Sequence, residues 1–436
     1  MKVEPRILPG FMELLPNEQV LFNNVKDIIK NNFEKFGFLP VDSPAIESSQ
    51  VLLAKAGGET EKQIYRFNKG ENDLCLRYDL TVPLARFVAA HYNELNFPFR
   101  RYQINKVYRG ERPQKGRFRE FYQCDIDVVG KDNLSIMHDA EVPAVMYNIF
   151  RDINIGDFRI KISNRKLLFG LMEYLNLTNM TADVLRIIDK FYKIGQDKVR
   201  LSLIEDYKLS DATADKIIEF ILTPGDNYEK LARLSNMGIE NATFEEGVSE
   251  LCDVLHTAIK FGIPEDVLEI DLTIARGLDY YTGTVYETML VGYESLGSIC
   301  SGGRYENLAG FYTDKKLPGV GMSIGLTRLF YQLRENNLLK DMNQSIAQAL
   351  IINMEENYDY AIKVAKELRE LGVRVEMYLE NGKMKNKISY ADKNNIPYAI
   401  VIGEDEIKAN KVMLKDMKAF NQSLLSVEEA AKVILG

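Results

Sequence analysis

Residues 109 to 127 read RGERPQKGRFREFYQCDID. The stretch opens on Arg109-x-Glu111-Arg112, passes through Pro113, Lys115 and Gly116, and returns through Arg117 and Arg119 into an aromatic, alternating run. This pattern predicts two antiparallel strands joined by a long basic loop. Strand side chains alternate between faces, so Phe121 and Gln123 are expected on one face of the return strand, with Asp125 and Asp127 continuing it. Between Arg100 and Glu120 there are eight basic residues against two acidic ones, in a chain whose formal charge is -8. Local positive charge with two embedded glutamates suits a polyanion that must also be oriented; it suits an exposed, solvated hairpin equally well. Glu120 in particular reads as a solvated surface residue.

Outward from this stretch, length and composition set bounds. A chain of 436 residues accommodates two or three domains. The acidic balance excludes an extended basic coat for nucleic acid but leaves room for local patches. The four cysteines, Cys75, Cys124, Cys252 and Cys300, lie far apart, as do His91, His138 and His256. No zinc-type pairing, Ser-His-Asp or Cys-His arrangement is therefore signalled, and free thiols in a reducing cytoplasm are the simplest reading. The opening MKVEPRILPGFMELLP carries no export or import signal. No run approaches the roughly 20 apolar residues of a membrane span.

Before the hairpin, helical spacing from Glu18 to Phe36 predicts a helix ending at Gly37, followed by a short extended segment at 38–41. Gly57-Gly58 reads as a turn. In LCLRYDLTVPLAR, residues 74–80 read as a strand, and Thr81-Val82-Pro83 as a helix start, so Asp79 and Thr81 have helix capping as their plainest role. After the hairpin come a helix from about 139 to 150 and a strand at 158–162. Residues 164–261 are helical in period, broken at Thr223-Pro224-Gly225, and read as an inserted scaffold or cover. Strands are expected at 268–273 and 285–290, around the polar-aromatic island RGLDYYTG, which is either a substrate-reading site or a turn with packed tyrosines. Gly319 to Leu333 reads as a glycine-rich strand entering an amphipathic helix, the glycines permitting close approach by a ligand or another backbone. A polar linker at 334–345 precedes strand-helix alternation through 402, which predicts a small α/β domain with a mostly parallel sheet.

The chemistry on offer is that of arginine. Arg109, Arg117, Arg119, Arg276 and Arg328 lie near glycine and aromatic residues, and guanidinium forks donate paired hydrogen bonds to phosphate oxygens. No Walker loop occurs, and Gly319-Val320-Gly321 with Gly325 only superficially matches a dinucleotide fingerprint. A bound nucleotide would be held by arginines on antiparallel strands.

These residues together resemble the histidyl-tRNA synthetases, a family of class II aminoacyl-tRNA synthetases. Phe38 to Pro44 resembles motif 1, RGERPQKGRFREFYQ motif 2 and GVGMSIGLTRL motif 3. RGLDYYTGTVYE and SGGRYENL resemble the two histidine signatures, LRYDLTVPLAR the amino-acid-binding segment, and YADKNNIPYAIVIGEDE the C-terminal anticodon-binding domain. The resemblance implies an α+β fold: a class II antiparallel sheet flanked by helices from 1–163 and 261–336, a helical insertion at 164–260, and a C-terminal α/β anticodon-binding domain at 346–436. It implies a cytoplasmic homodimer with no membrane partner that joins L-histidine to tRNA(His) using ATP and Mg2+, with no metal site made by protein alone.

The resemblance also implies roles. Arg109 would hold the α-phosphate and the substrate carboxylate, with Arg276 beside the α-phosphate as the leading catalytic cation. Glu111 would face the adenine amino group, Phe121 would stack on the ring, and Arg117 and Arg328 would hold the γ-phosphate end. Asp79, Thr81 and Gln123 would bind the histidine ammonium group, while Asp127, Tyr281 and Tyr305 would bound the imidazole; Arg276 also contacts the amino acid. Arg112, Gln114 and Lys115 would meet the tRNA acceptor end. Several members carry glutamate at the positions of Asp79 and Asp127. The alternative is the regulatory paralogue of ATP phosphoribosyltransferase, which lacks the C-terminal domain and often loses the arginines of motifs 2 and 3.

Overall fold

The structure is a computed structural model that describes residues 3–54, 59–112, 116–274, 281–339, 342 and 344–436, without the side chains of 59 and 60. The chain separates into two compact units, one of 1–12 with 26–338 and the other of 13–25 with 339–436. Cα packing thus keeps residues 164–260 in the same unit as the large sheet.

The first unit is built on an eight-stranded sheet. Its strands, in spatial order, are Leu39–Pro40, Phe99–Tyr108, Glu120–Val129, Gly319–Ile324, Cys300–Tyr305, Tyr281–Leu290, Phe158–Asn164 and Leu268–Ile270. All neighbours are antiparallel except the two outermost pairs. The expected hairpin forms its second and third strands: Phe99–Tyr108 runs out, Glu120–Val129 returns, and Tyr108 pairs with Glu120 through to Phe99 with Val129.

Alternation sorts the return strand. Cys124, Ile126 and Val128 are fully buried in the core. Tyr102, the partner of Ile126 on the outgoing strand, packs on Phe33 of the helix Pro16–Lys35, ring centres 5.7 Å apart. The odd-numbered residues turn to the opposite face, which carries the site.

Two differences from the sequence reading have physical causes. The strand expected at 74–80 stops at Leu76 and belongs to a separate three-stranded sheet with Ile46–Ser48 and Arg66–Lys69. Beyond it Asp79 turns back to accept from the amides of Thr81 and Val82, at 3.1 and 2.9 Å, which ends extended backbone and starts the helix Thr81–Ala90. Glu120 is not solvated surface: its carboxylate takes a 2.7 Å ion pair from Lys106, two residues before the loop on the opposite strand. The turn expected at Gly57-Gly58 lies outside the described residues.

The inserted region is helical, as its period predicted, from Arg165–Tyr174 to Ala242–Lys260. Asn164, Ser210, Asp226 and Asn241 cap its helices with side-chain oxygens, a signal that was present in the sequence.

In the second unit a five-stranded sheet is ordered Val375–Tyr378, Ala349–Asn353, Tyr398–Ile402, Val412–Asp416, Gln422–Leu425. The first three strands are parallel, and the last two add an antiparallel hairpin that the sequence reading did not extend to. Ile351, Ile400 and Ile402 pack on one side with Val364 and Leu368, while Leu350, Ile352 and Ala399 pack on the other with Ala391 and Ile396. Burial on both faces explains the unbroken apolar runs ALIIN and YAIVI.

Candidate active site

A cavity of about 580 Å³ opens on the site face of the large sheet. Its floor is the alternating row Phe121, Gln123, Asp125 and Asp127 of the return strand. Asp79 and Thr81 enter from the start of the helix Thr81–Ala90, Tyr281 and Tyr305 from neighbouring strands, and Arg328 from the helix Leu326–Glu335. Arg109, Glu111 and Arg117 enter from the hairpin loop. Residues from five separate sequence signatures thus line one space. Arg112 is described and exposed but does not line it. Arg276, Gln114 and Lys115 lie outside the described residues.

Three buried carboxylates share the cavity. Asp127 is anchored by Arg101 at 2.6 Å on one oxygen and by the Tyr305 hydroxyl at 3.0 Å on the other. Asp79 uses one oxygen on the helix amides, while the Oδ1 atom of Asp125 bonds no described residue. Burial raises all three above the usual carboxylate range, Asp125 to about 7, and Arg101 opposes the rise in each. Burial likewise holds the Tyr305 hydroxyl well above its ordinary value, so it donates to Asp127 as a neutral phenol.

Arg101 is the residue that the sequence reading missed. It is fully buried, donates to the carbonyl of Leu80 at 3.3 Å and supplies the counter-charge for the acidic cluster. A signal for it did exist. Once the hairpin is paired Tyr108 to Glu120, counting back along both strands brings Arg101 opposite Asp127.

The arginines divide by their partners. Arg109 lies over the rings of Tyr78 and Phe121, at 4.3 and 5.1 Å, and gives its Nε to the Tyr78 carbonyl. Arg117 is half-exposed and, among the described residues, makes a loose 3.8 Å pair with Glu111. Arg328 donates to the Leu296 carbonyl at 2.6 Å. Arg119 is a tie for the loop, bonding the Glu111 and Pro9 carbonyls. Arg304 of the SGGRYENL segment turns away to pair with buried Asp139 at 2.7 Å.

The glycines of the last strand explain how so much fits. A methyl group at Gly321 would stand 2.3 Å from the Ile126 carbonyl and 2.4 Å from the Asp127 carboxylate, and one at Gly319 would meet the Tyr305 ring at 2.4 Å. The close approach expected of these glycines is made to the acidic pocket itself. Thr327, where the strand gives way to its helix, accepts from the Tyr122 amide at 2.8 Å and ties that helix to the hairpin.

Known proteins match this chain along nearly its whole length. A family model described as histidyl-tRNA synthetase matches residues 10–329, and one described as anticodon binding domain matches 348–436. The histidine–tRNA ligase of Clostridium tetani is 57% identical over 99% of this chain and 98% of its own length. A crystal structure of histidyl-tRNA synthetase from Nostoc sp. PCC 7120 is 41% identical and superposes with a TM-score of 0.93 over 99% of both chains. A structure named as an ATP phosphoribosyltransferase regulatory subunit/histidyl-tRNA synthetase, from Bacillus halodurans, shares only the fold, at 20% identity and a TM-score of 0.72 over 89% of this chain and 97% of that one. Full-length identity to ligases, together with the matched C-terminal domain, decides between the two readings: the chain belongs to the histidyl-tRNA synthetase family of class II aminoacyl-tRNA synthetases, with the activity of a histidine–tRNA ligase.

Proposed function

We propose that the cavity is where histidine is activated, with its acidic pocket taking the amino acid and its arginines taking ATP. The observation that carries this is the convergence of Asp79, Gln123 and Asp127 with Arg109, Arg117 and Arg328 on one cavity. Asp79, Thr81 and Gln123 bind the α-ammonium group. Asp127, Tyr281 and Tyr305 bound the imidazole, with Asp127 held in place by Arg101 and Tyr305. A side chain without ring nitrogens would forgo its hydrogen bonds to those groups, at about 1–3 kcal/mol each.

Adenylation brings two anions together, the histidine carboxylate and the α-phosphate. The carboxylate oxygen attacks phosphorus, pyrophosphate leaves, and extra charge on the phosphoryl oxygens has to be met by fixed cations. Arg109 suits this because its orientation is set by two rings and one carbonyl, while its terminal nitrogens bond no described residue. Phe121 stacks on adenine and Glu111 faces its amino group. Arg117 exchanges its loose contact with Glu111 for the γ-phosphate end, which Arg328 also addresses. Arg276 is assigned beside the α-phosphate on the strength of the RGLDYYTG signature. In the second step the terminal hydroxyl of tRNA takes the histidyl group and AMP leaves.

Among the described residues no group of three His, Cys, Asp or Glu side chains could hold a metal ion. Mg2+ would arrive on the ATP phosphates, and Glu111 and Glu287, which line the cavity along with Asp79, Asp125 and Asp127, would be the carboxylates to help hold it. It would supply neutralisation of phosphate charge, and the protein's own share is positioning.

The remaining assignments complete the reading. Residues 1–163 and 261–336 form the catalytic domain, 164–260 a helical cover for the acceptor arm, and 346–436 the anticodon-reading domain. Arg112, Gln114 and Lys115 meet the acceptor end. The segment from Phe38 to Pro44, whose strand Leu39–Pro40 edges the sheet, joins two copies in a cytoplasmic homodimer. The test is histidine-dependent exchange of pyrophosphate into ATP. Exchange is expected with L-histidine alone among the amino acids, and its absence from folded, full-length protein would overturn the proposal.

A further inference from the structure

Arg109 is steadied from a segment that has no part in the roles above. Gln63 ends the short helix Glu59–Gln63 and lines the cavity. Its carbonyl accepts from the Gly110 amide at 2.7 Å, one residue beyond Arg109. A methyl group at Gly110 would stand 3.1 Å from that carbonyl, so glycine admits the close approach. The side-chain Oε1 of Gln63 accepts from the Tyr78 hydroxyl at 3.0 Å. Tyr78 lies in the turn between the strand Asn72–Leu76 and the helix Thr81–Ala90, and its ring centre is 4.3 Å from the Arg109 guanidinium carbon. The Tyr78 carbonyl takes the Nε of the same arginine at 3.2 Å.

We propose that Gln63 and Tyr78 are positioning residues for Arg109: the bond between them fixes the Tyr78 ring, and the ring fixes the plane of the guanidinium. A long arginine side chain has many rotamers, and a fork that serves a phosphate has to be held in one of them before the reaction. The Phe121 ring, 5.1 Å from the guanidinium, belongs to a sheet strand and is placed by register. The Tyr78 ring comes from a turn. Joined to the chain at one end and to Gln63 at the other, it cannot swing away from the guanidinium. The Gly110 bond seats the hairpin loop on that same residue. Gln63 thus sets both the backbone beside Arg109 and the surface on which its head group lies. This rests on the assignment of Arg109 to the α-phosphate and the substrate carboxylate.

Tyr78→Phe and Gln63→Leu break the same bond from opposite ends. Each is expected to lower the rate of histidine-dependent exchange at saturating substrates about fivefold. The double variant should lose no more than either single one, because the bond can be broken only once. Tyr78→Leu removes the ring as well and should lose about thirtyfold. A second measurement separates positioning from general damage. L-Histidinol keeps the ring and the ammonium group but has an alcohol in place of the carboxylate that Arg109 takes. In calorimetry on the full-length protein, Tyr78→Phe and Gln63→Leu should each weaken L-histidine about threefold and change L-histidinol little. Single variants that exchange at the wild-type rate, losses that multiply in the double variant, or equal weakening of both ligands would overturn the inference while leaving the activation site standing. Arg109→Ala tests the footing: if exchange is undiminished in it, the assignment of Arg109 fails and the inference with it.

Discussion

At the scale of single residues, burial decides which charges matter. Arg101 and Lys106 sit five positions apart on one strand, each paired with a carboxylate on the next. The Arg101 side chain is wholly buried, whereas that of Lys106 is 42% exposed. Removing one member of a buried pair leaves an uncompensated charge, so Arg101→Met is expected to cost about 3–5 kcal/mol and to raise the KM for histidine by releasing Asp127. Lys106→Ala should cost under about 1 kcal/mol, since solvent replaces its partner. Denaturant unfolding and histidine-dependent exchange check both, and equal costs would contradict the assignment of Arg101 as the counter-charge. Asp125 supplies a pH signature of opposite kind. Folding raises it from 3.8 to about 7, so between those values the native state holds more protons there than the unfolded chain does. Stability from this group therefore falls as pH rises through that window, by about 1.4 kcal/mol for each pH interval of one across it. Asp125→Asn should melt higher than wild type at pH 8 and with it at pH 4; a parallel offset at every pH would refute this.

At the scale of elements, the site depends on a strand that contributes almost no side chains to it. Gly321 leaves room for Asp127, and Gly319 for Tyr305. Gly321→Ala must push the Ile126 carbonyl or the Asp127 carboxylate aside, in a sheet centre that cannot relax. A loss of roughly 2–4 kcal/mol in stability is expected, with a larger proportional loss of histidine affinity than of ATP affinity. Gly325→Ala is the control, since its methyl would meet nothing nearer than Arg328 Cβ at 4.0 Å. Calorimetric melting and separate KM values for the two substrates distinguish them. The hairpin was the most legible element: alternation alone aligned Phe121, Gln123, Asp125 and Asp127. The strand through Asp79 was less so, because a capping side chain ended it where apolar patterning ran on. The C-terminal hairpin lacked the strongest mark, a glycine, and kept only Asp416, which accepts from the Lys418 and Ala419 amides, and Asn421. Its connection, Met417 to Asn421, holds no glycine, and Phe420 takes the positive φ of 56° that glycine or asparagine would ordinarily announce.

At the scale of the molecule, adenylation and tRNA charging make different demands on the two units. The cavity and every described residue assigned to ATP and histidine belong to the unit of 1–12 with 26–338. Removing 346–436 is expected to spare exchange while lowering the charging rate at least about tenfold more, through loss of the second tRNA contact. Side-by-side exchange and charging assays measure this, and equal losses would contradict separate roles. Residues 13–25 cluster with 339–436, so the truncated protein should also melt lower. That membership could not be anticipated, because the apolar spacing of a helix states that one face is covered without saying by what.

The sequence by itself determined the family, the antiparallel hairpin, the helical insertion and most of the residues that line the cavity. These follow from local periods and from motifs whose order is written along the chain. Only the tertiary structure decided that Asp127 is held by Arg101, that Gln123 donates to Ser323, that Glu120 is paired and that Gly321 makes room for a carboxylate. Those are contacts between strands, and alternation says which face a residue takes but not which residue lies opposite until register is set. In the opening stretch, RGERPQKGRFREFYQCDID, the arginines announced themselves; the buried arginine that keeps its last aspartate in place lay eight residues before it, inside a strand whose partner had yet to be found.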